Sequence, residues 1–109
     1  MKEKEITILG KQITIKYNMA VQIAYEEITG HAFDTSALDK TSNTLALYYA
    51  CILVNNPDVE ISFDDLLEKA SARDIKVLRE SVLDCFTDWC QSALDEYEKP
   101  EGEEKPKNS

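Results

Sequence analysis

The chain has 109 residues, 43% of them hydrophobic, which is enough for one small core and too little for two. Its 21 acidic and 12 basic side chains give a net charge of −9, so phosphate backbones and anionic lipid surfaces repel it; nucleic acids and membranes are poor partners, and a basic or neutral protein is the natural one. Cys51, Cys85 and Cys90 are odd in number, lack C-x-x-C spacing and lie in apolar segments, which points to free thiols in a reducing compartment.

The N-terminus, "MKEKEITILG", has no apolar stretch of signal-peptide length. The longest apolar run, residues 45–54, is about half the roughly 20 residues a bilayer span requires. A soluble protein of the bacterial cytoplasm is expected.

Residues 5–17, "EITILGKQITIKY", alternate with period two. Ile6 and Ile8 share one face, as do Ile13, Ile15 and Tyr17. Gly10 and Lys11 between the runs predict a two-residue type II′ hairpin loop with glycine first. Asn18 is a suitable N-cap for a helix whose apolar positions Val21, Ala24, Tyr25 and Ile28 recur at i, i+3, i+4 and i+7. Gly30 supplies the left-handed residue that ends it.

Residues 31–43 read as a connection, with one short helical turn around Ala37 and Leu38. Thr41 or Ser42 is expected to cap a second helix that runs to about Val54, is apolar almost all round, and stops at "NNPD". Ser62 with Asp65 predicts a capping box opening a short helix through Phe63, Leu66, Leu67 and Ala70, and Ser71 with Asp74 repeats it. From Ala72 to about Tyr97, Ile75, Leu78, Val82, Phe86, Trp89, Ala93 and Tyr97 fall at steps of three and four, predicting a long helix whose far end projects.

The expected fold is therefore α+β and mostly helical. A two-stranded antiparallel hairpin packs on a bundle of about four helices, the last one long, in a single domain over residues 1–97. Residues 98–109, with two prolines, a glycine and no large apolar side chain, form an expected disordered acidic tail.

Candidate chemistry is sparse. Glu26 and Glu27 are adjacent, so on a helix they diverge by about 100° and do not converge on one atom. Glu27 and His31 have the spacing of a helical metal pair, but Gly30 ends the helix between them, and a histidine beside a helix C-terminus is the structural alternative. The three cysteines have only His31 as a possible imidazole base. Glycines 10, 30 and 102 are isolated, and Asp64 with Asp65 opens a helix rather than a calcium loop. No catalytic residue, cofactor or metal ligand is assigned, and the chain reads as a non-enzyme.

The long helix is more informative. Glu80, Asp84 and Asp88 form an i, i+4 ladder of like charges, which is either a solvated face or an acidic strip for a basic partner. Alongside it, Leu83, Phe86, Trp89, Cys90, Leu94 and Tyr97 make an apolar stripe wider than so small a core is expected to cover. Part of it is a candidate surface for a partner or for self-association into a homo-oligomer, with Trp89 and Tyr97 as anchors.

The order of elements resembles the small tail assembly chaperones of long-tailed phages and prophages. The resemblance lies in the Ile/Thr hairpin "ITILGKQITIKY", then "NMAVQIAYEEITGHAF" with its Tyr-Glu-Glu-x-x-Gly-x-x-Phe helix end, then helices and a charged acidic tail. It covers residues 5–33 fairly well and the rest only in general character. It implies a cytosolic, non-catalytic, cofactor-free protein that coats the helical tape measure protein until tail-tube subunits replace it, with Tyr25 and Phe33 as packing residues. Two alternatives stay open: a small acidic regulatory or inhibitory protein that occupies a basic protein surface, and a structural subunit of a particle.

Overall fold

A computed structural model describes residues 2–98, with side chains as far as Leu94. The expected tail and the Tyr97 side chain lie outside the described residues. Strands β1 (Glu3–Ile8) and β2 (Lys11–Lys16) lead into α1 (Met19–Thr29), a 3-10 turn at Thr35–Asp39, α2 (Thr41–Asn55), α3 (Phe63–Lys69) and α4 (Ala72–Glu98). The architecture is α+β and mostly helical, with an antiparallel hairpin ahead of four helices and the last one long.

The hairpin turn differs from expectation. Ile6 lies opposite Ile13 and Ile8 opposite Lys11, which makes Leu9–Gly10 the loop rather than Gly10–Lys11. Leu9 has φ 54° and Gly10 φ 76°, so both residues are left-handed and the turn has the type I′ pattern, not II′. Leucine is a poor residue for that conformation. Its half-buried side chain packs against the core, a contact that helps to hold the turn in this register.

The alternation places Ile8, Ile13, Ile15 and Tyr17 fully inside. Each of the three isoleucines contributes about 1.5–3 kcal/mol relative to exposure. The face they form packs on α2 and α4, which answers why a hairpin this small persists. The free edge of β2 is closed by side chains. Asn56 accepts from the Thr14 amide through Oδ1 at 2.8 Å and donates through Nδ2 to the Thr14 carbonyl at 2.8 Å, while Asn55 donates to the Lys16 carbonyl at 2.9 Å. Two asparagines thus stand where a third strand would pair.

In α1, Asn18 Oδ1 accepts from the Val21 amide at 3.3 Å, and Gly30, at φ 80°, donates to the Glu26 carbonyl at 2.8 Å. Val21, Ala24 and Tyr25 face inward. The expected cap of α2 by Thr41 or Ser42 is not formed. Lys40 occupies the N-cap without a side-chain bond, and the entry is held instead by Asn43 Nδ2 donating to the Ala37 carbonyl and Thr44 Oγ1 donating to the Leu38 carbonyl. The polar residues of this entry fasten α2 to the 3-10 turn.

Helix α2 is the central element. It touches α1, α3, α4, β2 and the 3-10 turn, as an almost wholly apolar helix should. Both serine–aspartate boxes form: Ser62 with Asp65 at α3, and Ser71 with Asp74 at α4. Tyr49 of α2 donates to the Ile61 carbonyl at 2.9 Å, and its ring lies tilted at 5.4 Å from that of Phe63, which fixes α3 against α2.

Helix α4 buries Leu78, Ser81, Val82 and Cys85. Its 27 residues span about 40 Å at 1.5 Å each, in a molecule whose shorter dimensions are 28 and 23 Å. From Gln91 to Leu94 every side chain is exposed, so the helix leaves the body at Cys90 and continues outward.

Candidate protein-docking surface

The stretch from Tyr17 to Phe33 is a packing unit. The Tyr25 ring meets His31 edge-on at 5.6 Å and Phe33 at 5.5 Å, and Phe33 meets Phe86 at 6.4 Å. His31 is exposed, with Nδ1 3.1 Å from the Ala32 carbonyl and Nε2 3.3 Å from Asn43 Oδ1. Glu26 accepts from the Phe33 amide at 2.9 Å and so closes the turn after α1. Among the described residues, no three His, Cys, Asp or Glu side chains are grouped for a metal ion, and no helix is long and apolar enough to cross a membrane. Burial pushes the Cys51 and Cys85 thiols up, which leaves little thiolate at neutral pH.

The structure divides the apolar stripe of α4 into two parts. Phe86 and Trp89 are half-buried and pack against the Tyr17 ring, whose centroid is 4.9 Å from that of Phe86 and 5.3 Å from that of Trp89. Trp89 is therefore largely a packing residue. Leu83 and Leu94 are the outward part, 51% and 52% exposed, and Cys90 is intermediate.

The acidic ladder is divided as well. Asp84 pairs with Lys4 at 3.0 Å, and the lysine holds its carboxyl below the usual carboxylate range. Asp88 accepts from the Lys2 amide at 3.0 Å. Two rungs thus fasten the start of β1 to α4. Glu80 is exposed and has no ion pair among the described residues.

A groove of about 330 Å³ opens beside Leu83. Its walls are Leu38 from the 3-10 turn, Leu47 and Tyr48 from α2, and Val82, Leu83 and Phe86 from α4, and almost all of its lining is apolar. The sequence reading identified the α4 wall and missed the opposite one. The available signal was Leu38, which with Phe33 is one of two large apolar residues in the connection over 31–43.

Such a surface has no acid–base pair and no anion cradle, and what it offers is shape and apolar area. Comparison with protein-family models, curated proteins and solved structures finds no match to this chain.

Proposed function

We propose that this protein is a non-catalytic, protein-binding chaperone of phage tail assembly that shields the helical tape measure protein in the host cytoplasm. The observation that carries the reading is the half-exposed Leu83 and Leu94 on a helix that leaves the body, next to an apolar groove. Met19, Ile23, Leu53 and Leu67 are about as exposed as these two leucines, and what sets Leu83 apart is its place on the groove wall, since contiguous apolar surface marks interaction sites where scattered apolar residues do not. The order of elements, hairpin then capped helix then helices, is the one the resemblance to tail assembly chaperones rests on. A net charge of −9 keeps an apolar-faced protein dispersed before it meets its client.

The alternative, an acidic inhibitor of a basic surface, depends on charge more than on apolar contact. That reading rests on the net charge of −9 as a whole; within the α4 ladder, Asp84 and Asp88 are engaged by the Lys4 side chain and the Lys2 amide. The discriminating experiment is co-expression with the tape measure protein of a long-tailed phage or prophage from the same genome. The chaperone reading expects the tape measure protein to become soluble and to co-purify, with both effects lost on Leu83→Ser plus Leu94→Ser. An insoluble tape measure protein and no complex overturns it.

A further inference from the structure

Leu83, Phe86, Cys90 and Leu94 are spaced by three, four and four, so they lie along one face of α4 as a ridge of about 17 Å. Leu83 and Phe86 are also walls of the apolar groove, which makes ridge and groove one continuous surface. At about 330 Å³, with almost no polar lining to orient a small molecule, the groove suits the anchoring side chains of a helix laid along the ridge.

Charge selects the occupant. From Glu80 to Glu98 there are six acids, Glu80, Asp84, Asp88, Asp95, Glu96 and Glu98, and no lysine or arginine. Asp84 and Asp88 are engaged by the Lys4 side chain and the Lys2 amide, and Glu80 has no ion pair among the described residues; the bases Lys76 and Arg79 lie on the N-terminal side of this stretch. Two copies meeting along this segment would set acids against acids, whereas a basic border would be attracted.

We infer that groove and ridge together form a docking site for an amphipathic helix whose apolar face is bordered by lysine or arginine, and not for a second copy of this chain. This rests on the protein-binding reading above and adds a recognition rule to it. Leu83 and Leu94 make the apolar contact, Leu38 and Leu47 receive the anchor side chain, and Glu80 contributes to the preference for basic borders. Binding should weaken with salt, because part of the attraction is between exposed charges.

The test is a titration of the full-length protein with two synthetic peptides of about 18 residues, roughly 27 Å as helices. They share one Leu/Ile face and differ only in bordering lysines or bordering glutamates. The Lys-bordered peptide is expected to bind and the Glu-bordered one not to. Leu83→Ser is expected to weaken binding at least about tenfold, and Glu80→Lys to weaken it several-fold with a reduced salt dependence. Both positions are exposed, so unchanged thermal unfolding of the variants confirms that the fold is intact.

Equal affinity for the two peptides overturns the inference. So does binding of neither peptide, unchanged affinity in Leu83→Ser, or a dimer of the protein alone that Leu83→Ser dissociates. The peptide titration and the tape-measure co-purification can fail separately. A tape-measure complex that Leu83→Ser leaves intact places the interface elsewhere and spares the chaperone reading, whereas peptide binding without that complex spares the site and removes the client.

Discussion

Asn56 offers a sharp test of how the hairpin is held. Its amide makes two bonds of 2.8 Å to the backbone of Thr14 and a third, at 2.9 Å, to the Ile52 carbonyl. Asn56→Ala removes all three and strands the part-buried amide and carbonyl of Thr14. At about 1 kcal/mol net per bond to Thr14, with water recovering part of the stranded pair, the loss is about 2–3 kcal/mol. For a domain of this size that is a fall in Tm of roughly 10–20 °C. Asn56→Asp keeps an acceptor for the Thr14 amide and turns the other oxygen against the Thr14 and Ile52 carbonyls. It should be at least as damaging at neutral pH and recover in part as the carboxylate is protonated. Urea unfolding followed by the fluorescence of Trp89, the single tryptophan, measures both variants. A stability of Asn56→Asp at pH 7 within about 0.5 kcal/mol of the parent would refute the reasoning, because only the donor half of the amide distinguishes the two side chains.

Other expectations concern the core and the turns. Trp89→Ala should cost about 2–4 kcal/mol because its ring supports Tyr17, whereas Leu94→Ser should change stability by less than about 0.5 kcal/mol, and paired denaturation curves decide it. The buried Tyr17 hydroxyl has the Gln22 amide beside it but no partner in hydrogen-bond geometry, and burial pushes its pKa from 10.0 up to about 12. The unfolded chain therefore ionises first, and the stability owed to neutral Tyr17 is intact below pH 10 and declines between pH 10 and about 12. Tyr17→Phe should flatten that part of the alkaline decline and match or exceed the parent in stability at pH 7. Gly30→Ala should destabilise by about 1 kcal/mol through its φ of 80° alone, since nothing lies within 4 Å of the added methyl group.

Much of the fold was legible because local chemistry specifies it. The alternation of Ile13, Ile15 and Tyr17, the Asn18 cap, the Gly30 stop and the two serine–aspartate boxes each act within a few residues, and all are present in the structure. The turn departs from the local pattern because φ > 0 at Leu9 goes against leucine's own preference, and tertiary packing overrides it. Asn55 and Asn56 read as a helix stop. Their partners lie 39 and 42 residues earlier, and no local pattern reports such a pairing. The candidate surface was legible as a stripe of excess apolar area on α4. Its division was not, because that depends on Tyr17, distant in sequence, covering Phe86 and Trp89 while Leu83 and Leu94 stay outside.

The central claim is that the outward part of α4 and the groove beside it exist to be covered by another polypeptide. Amide hydrogen exchange of the protein alone and in complex with its proposed client, the tape measure protein, tests it most directly. Alone, the amides of Gln91 to Leu94 should exchange quickly and those around Leu78 and Val82 slowly, because one segment is exposed and the other lies in the core. In the complex, new protection should appear along Leu83 to Leu94 and at the 3-10 turn around Leu38, and the outer face of the hairpin should not change. Protection confined to the hairpin or to α1, with α4 exchanging as before, would contradict the account.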